Sequence, residues 1–220
     1  MSAEIDRDQW VHGEVQRLAA EFAGRVEPAT VERYVREALA ALDRAPVRAH
    51  LPVLVHRFAR ERLLALAQAE GWRPKTRPVV LFVCVQNAGR SQMAAALTQH
   101  LSGGQVEVRS AGSAPAAALH PAVVAVMQEI GIDLAQAFPK PLTPEVARAA
   151  DVVVSMGCGD TCPVYPGQRH ETWEIDDPAG QGLERVRAIR DALRDRVEQL
   201  LHRLGVPVAN PLAPRGSGGG

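Results

Sequence analysis

The chain opens on a helical rhythm. Trp10, Val11, Val15, Leu18, Ala19 and Phe22 recur at the period of an α-helix and stripe one face of a first helix. Pro28 to Thr30 gives a start signal, and Val31, Tyr34, Val35, Ala38, Leu39 and Leu42 stripe a second. After Ala45 and Pro46, a third helix is expected from about His50 to Glu70, carrying Leu51, Leu54, Val55, Phe58, Leu63 and Leu66. Gly71 ends it, as glycine often does. Three helices on short connections predict a small antiparallel bundle over residues 1–74, with GWRPKTR (71–77) as the linker.

From Pro78 the texture changes. VVLFVCV is a continuous apolar, β-branched run, the mark of a strand buried on both faces. A loop and a helix (SQMAAALTQHL) follow, then a second strand (QVEVRSAG) and helices opened by His120-Pro121 and Thr143-Pro144. DVVVSM reads as a third strand and ETWEID as a fourth, before a long amphipathic helix from about Gly182 to Leu204. Alternating strands and helices predict an α/β unit over 78–206, a doubly wound parallel four-stranded sheet. Residues 207–220 read as a flexible tail.

Composition narrows the classes without changing this layout. With 220 residues, 46% hydrophobic and 23% charged, the chain can bury a substantial core. Its formal net charge is zero, which argues against a nucleic-acid or anionic-membrane binder. No apolar run approaches the roughly 20 residues needed to span a bilayer, and MSAEIDRDQW lacks the apolar stretch of a secretion signal. Three cysteines make no disulfide scaffold, so a cytoplasmic setting with reduced thiols is expected. The histidines are scattered, and neither a metal nor a cofactor is expected.

The candidate chemistry begins at Cys84-Val85-Gln86-Asn87-Ala88-Gly89-Arg90-Ser91. Cys84 falls at the C-terminal end of the first strand, where open parallel sheets bind ligands, and Arg90 falls where the next helix begins. Successive N–H groups from Val85 to Arg90 can curl around one tetrahedral oxyanion, helped by the positive end of the helix. Arg90 can grip two anion oxygens in a fork, and Gly89 leaves the backbone free to turn. The same positive field favours a thiolate at Cys84, a nucleophile aimed at phosphorus or arsenic. The plainer reading of Cys84 is a core cysteine. Ser91 either steadies the thiolate or caps the helix, and Asn87 either braces the loop or tolerates a left-handed turn.

A general acid is the next requirement. Asp176-Asp177-Pro178 lies in the loop before the last helix, on the same sheet edge. Proline restricts Asp177 to extended backbone, so its carboxyl can be presented to the pocket to protonate a leaving oxygen. Asp176 is the candidate to orient that loop. A plain turn is the alternative.

Residues from about Pro78 to Val206 resemble the low-molecular-weight protein tyrosine phosphatase fold. Through FVCVQNAGRSQMA, SAG, MGCGDTCP and DDPAG the chain resembles, within it, the thioredoxin-coupled arsenate reductases. The N-terminal helices resemble the three-helix domain fused to some actinobacterial-type members. The resemblance implies that arsenate is the substrate and that Cys84 is the nucleophile. Cys158 then attacks the arsenic–Cys84 adduct and releases arsenite. Cys162 takes over the oxidation as a Cys158–Cys162 disulfide, which thioredoxin reduces.

Two departures stand out. Family members usually have more residues between the two later cysteines than the three found here, which leaves mycothiol with mycoredoxin, or glutathione, as the alternative donor. Some relatives supply a carboxylate for potassium where this chain has Ala95, so no potassium dependence is expected. Tyrosine phosphatase activity is the competing function. Its usual aromatic residue after Asp-Pro is replaced here by Ala179-Gly180. The N-terminal helices carry no catalytic constellation; docking a redox partner, dimerisation and stabilisation all remain open for them.

Overall fold

The computed structural model describes residues 7–43, 50–157 and 163–212. The first third folds into α1 (Arg7–Glu21), α2 (Pro28–Leu42) and α3 (Leu51–Ala69). Proline sits in the first turn of α2 and α3, where a missing N–H costs no intrahelical bond. The apolar stripes of the three helices meet in one core around Leu18, Phe22, Val35, Phe58 and Leu63. Phe138 enters that core from the other half of the chain.

The second part runs β1 (Val79–Cys84), α4 (Arg90–Leu101), β2 (Glu107–Gly112), α5 (Pro121–Gln128), α6 (Pro144–Ala149), β3 (Val152–Met156), β4 (Arg169–Thr172) and α7 (Leu183–Arg203). The strands pair in parallel in the order β2-β1-β3-β4. This is the doubly wound α/β sheet with preceding helices that the pattern predicts.

Side chains alternate across the sheet, as the strand period requires. Val80, Phe82 and Cys84 of β1 face the layer of α4, α5 and α7, together with Val152, Val154 and Met156 of β3. Leu81, Val83 and Val153 face the opposite layer, where α6 and Ala65 of α3 cover them. Helix α3 therefore belongs to two cores: its large residues fill the helical one and its small face lies on the sheet. Arg62 of α3 meets Glu145 of α6 at 2.5 Å and Glu37 of α2 at 2.7 Å. Its guanidinium also lies 4.0 Å from the Tyr34 ring centroid. Burial pushes the Tyr34 hydroxyl above its ordinary range.

One boundary differs from the pattern. ETWEID predicts a strand from Glu171, but the ladder ends at Thr172. β4 is an edge strand whose last register partner is Ser155, and Trp173 then turns inward to meet Phe82 at 5.7 Å between ring centroids. Residues 174–177 are thereby released to cross the strand ends. After α7 the chain remains tied to the body through Ala209 N to Leu101 O at 2.8 Å and Arg194 Nη2 to Leu212 O at 3.2 Å, although the composition reads as a tail from 207. Among the described residues no helix is long and apolar enough to cross a membrane.

Candidate active site

From β1 the chain passes to β2 on one side of the sheet, while β3 lies on the other. The C-terminal end of β1 is thus the switch point where open α/β sheets bind ligands. Cys84 ends β1, 2% exposed, with Met156 and Gly112 as its register partners on either side.

The loop from Cys84 to Arg90 is held by its carbonyls. Cys84 O accepts from Ser113 N at 3.2 Å, Val85 O from Ala114 N at 2.9 Å and Gln86 O from Ala116 N at 2.9 Å. Asn87 O accepts from Gln92 Nε2 at 3.0 Å, and Ala88 O from His120 N at 3.1 Å. Within a planar trans peptide the C=O and the following N–H point in opposite directions. Pinning these carbonyls therefore turns the N–H groups of Val85, Gln86, Asn87, Ala88 and Gly89 away from their neighbours. None of these amides donates to an acceptor among the described residues. The N-terminus of α4 adds its partial positive charge on the same side. Such a row of amides is an anion cradle.

Two glycines make this loop possible by their size. A Cβ on Gly89 would stand 2.5 Å from Pro178 Cγ, and one on Gly112 would stand 2.7 Å from Val85 O. Gly89 has φ −137, outside the left-handed region, and its missing Cβ leaves Pro178 its place. The left-handed residue is Asn87, at φ 48. Its side chain does both things the sequence left open. Nδ2 donates to Ser91 Oγ at 2.8 Å, while Oδ1 accepts from Gln92 Nε2 at 3.1 Å and from Lys140 N at 3.0 Å. Ser91 Oγ lies 3.0 Å from Cys84 Sγ and accepts from Asn87 Nδ2.

Arg90 and Asp177 meet across the mouth. Arg90 Nη2 donates to Asp177 Oδ2 at 2.6 Å, and Nη1 to Ile175 O at 3.2 Å. Asp177 Oδ1 accepts from Ala179 N at 3.0 Å, and Asp176 pairs with Arg185 on the rim. Beside Arg90 opens a cleft of about 740 Å³ lined by Ser155, Gly157, Thr172 and Asp176. Gly157, at φ +70, leaves room for the guanidinium: a Cβ there would stand 2.8 Å from Arg90 Nη1.

The structure therefore brings Cys84, the loop 85–89, Arg90, Ser91 and Asp177 together. Cys158 and Cys162 lie outside the described residues. Sequence reasoning missed Gln92, which holds Asn87 and Phe138 O together, and Lys140, whose backbone holds Asn87. Gln92 had no clear signal: it follows the polar Arg90 and Ser91 in the first turn of α4, and its burial shows only in the fold. Lys140 had none, being 53 residues from its partner.

The comparisons with known proteins agree with this geometry. Residues 79–209 match the model of the low molecular weight phosphotyrosine protein phosphatases, and residues 11–67 that of the protein-tyrosine-phosphatase-like N-terminal domain. A thioredoxin-dependent arsenate reductase of Corynebacterium glutamicum superposes with a TM-score of 0.82 at 42% identity, over 90% of this chain and 97% of that one. A glutaredoxin arsenate reductase of Synechocystis is 37% identical over 57% of this chain and 97% of its own length. The structure of an arsenate reductase in the phosphate binding state superposes with a TM-score of 0.53 at 37% identity, covering 58% of this chain and 98% of that one. The chain belongs to the low molecular weight phosphotyrosine protein phosphatase family and, within it, to the arsenate reductases.

Proposed function

We propose that this protein reduces arsenate to arsenite through a relay of Cys84, Cys158 and Cys162. The loop amides and Arg90 bind the oxyanion, and the Cys84 thiolate attacks arsenic. As the sulfur–arsenic bond forms, one oxygen leaves as water, protonated by Asp177. The incoming anion competes with Asp177 for Arg90.

Reduction is the second half. The Cys158 thiolate attacks Cys84 sulfur, a disulfide forms, and the pair of the sulfur–arsenic bond stays on arsenic, taking it from As(V) to As(III). Cys162 attacks Cys158, frees Cys84 and leaves a Cys158–Cys162 disulfide for an external dithiol. Thioredoxin is the reductant this reading names, with a mycothiol and mycoredoxin couple as the other donor chemistry. The cycle needs thiols that start reduced, as in a cytoplasm.

One observation carries the choice of reduction over phosphate-ester hydrolysis. Met156 is the register partner of Cys84, and Cys158 follows it by two residues. A second thiol so close in the chain to the partner of the nucleophile has no part in hydrolysis. The phosphatase reading rests on the same loop and on the family itself, and Ala179-Gly180 offer its phenol no ring to stack on.

The test is a stoichiometry. Cys162→Ser, supplied with thioredoxin and its reductase, is expected to release about one arsenite per chain and stop. Undiminished multiple turnover would remove Cys162 from the relay. Hydrolysis of an aryl phosphate without arsenite release would favour the phosphatase.

A further inference from the structure

We propose that the N-terminal helices act in the reaction as a positioning element, holding the anion loop through residues 136–141, with Glu61 and Phe138 as the positioning residues. The inference rests on the reading of Cys84 as the nucleophile and deepens it.

The segment Gln136-Ala-Phe-Pro-Lys-Pro141 is gripped from two sides. Towards the helices, Phe138 is 8% exposed and packs in the core of α1, α2 and α3. Arg57 of α3 stands over its ring at 5.3 Å and donates through Nη1 to Gln136 O at 2.6 Å. Glu61 Oε2 meets Lys140 Nζ at 2.8 Å, with side chains only 23% and 12% exposed. The other oxygen, Glu61 Oε1, is buried without a partner among the described residues, so the carboxylate is committed to Lys140.

Towards the catalytic loop, the same residues use their backbones. Phe138 O accepts from Gln92 Nε2 at 2.9 Å, and Lys140 N donates to Asn87 Oδ1 at 3.0 Å. Lys140 O accepts from Gly112 N at 2.9 Å, which fixes the strand end beside the loop. Pro139 and Pro141 hold φ on either side of Lys140, so the segment transmits position rather than absorbing it.

What it positions is Asn87. A non-glycine residue at φ 48 needs its surroundings to hold it there. Lys140 N and Gln92 Nε2 supply that hold, and Asn87 in turn orients Ser91 Oγ, which lies 3.0 Å from Cys84 Sγ. Glu61 thus reaches the nucleophile through Lys140, Asn87 and Ser91 without touching substrate. Loosening the clamp releases the Asn87–Ser91 arrangement that steadies a thiolate.

The experiment uses the full chain and reads Cys84 alone. Iodoacetamide alkylation of the Cys84 peptide is followed by mass spectrometry across pH, in folded wild type, Glu61→Gln, Asn87→Ala and the double variant. The expected result is an alkylation rate near neutral pH about three- to tenfold lower in Glu61→Gln, with the pH profile moved to higher pH. In the Asn87→Ala background the added Glu61→Gln change has no further effect, because both act on one path. An unmoved profile in Glu61→Gln, or additive effects in the double variant, would overturn the proposal and leave the helices a purely stabilising role. If Glu61→Gln does not fold, Phe138→Leu carries the same comparison. The readout needs no arsenate, so a failure of the reductase reading shows separately, as wild-type chain without arsenate turnover.

Discussion

Asn87 shows how much of this site depends on single residues. It combines a left-handed backbone with bonds to Gln92, Lys140 and Ser91, so neither glycine nor alanine reproduces it. Gly157 is its counterpart on the other side of the pocket, where only the missing Cβ leaves Arg90 its place. Gly157→Ala meets both a backbone near φ +70 and a contact of 2.8 Å with Arg90 Nη1. Steady-state kinetics are expected to give a KM for arsenate about tenfold higher, since the proposed mechanism has the displaced guanidinium bind the anion. An unchanged KM would mean that Arg90 has another way to reach the substrate. Cys84, Arg90 and Ser91 are legible in the sequence because their spacing is local, running from one strand end into one helix. Gln92, Gly112 and Lys140 are not: their part follows from contacts across 5, 25 and 53 residues of Asn87.

Among the elements, helix α3 departs furthest from its apparent simplicity. Its apolar stripe announces a helical bundle, and the bundle core forms as the pattern predicts. What the pattern hides is its second face, where Ala65 and Ala69 lie on the sheet. Small residues give little periodic signal, yet they let the helix lie close against α6 beneath the sheet. Between the faces sits Arg62, whose side chain is 7% exposed against 5% for Glu145. Arg62→Ala leaves Glu145 buried and uncompensated, so chemical denaturation is expected to show a loss of about 3–5 kcal/mol. Replacing the pair by Arg62→Met with Glu145→Gln should recover much of it. A loss under about 1 kcal/mol in Arg62→Ala would show that the pair does not join the two layers. β4 also stops earlier than its pattern: Trp173 N still donates to Ser155 O at 2.9 Å while its ring packs on Phe82, and no pairing follows it among the described residues.

Over the whole molecule, the parallel four-stranded sheet follows from alternating strands and helices and was readable; the strand order β2-β1-β3-β4 comes from the fold. The apolar face of the last helix was readable too, but the charged side chains that tie it to α5 were not. Glu129, at the end of α5, takes Arg187 at 2.6 Å and Arg190 at 3.4 Å from α7. The hydrogen bond from Arg187 holds the Glu129 carboxyl below its ordinary value of 4.5. A carboxylate depressed in the folded state contributes stability above its unfolded value and loses it as pH falls through the folded one. Acid therefore weakens this junction below about pH 4.5. In Glu129→Gln the melting temperature is expected to fall by about 1–2 °C at pH 7, the difference narrowing as acid protonates Glu129, and high salt should shrink it. A difference that acid and high salt both leave unchanged would show that Glu129 acts by packing instead.

The central claim, that the site reduces arsenate, is tested most directly by NADPH consumption with thioredoxin, thioredoxin reductase and this protein. Steady consumption that requires both arsenate and the intact chain, and that vanishes in Cys84→Ser, is the predicted result. NADPH left untouched by arsenate under the thioredoxin and mycothiol systems alike, with an aryl phosphate hydrolysed by the same protein, would contradict it.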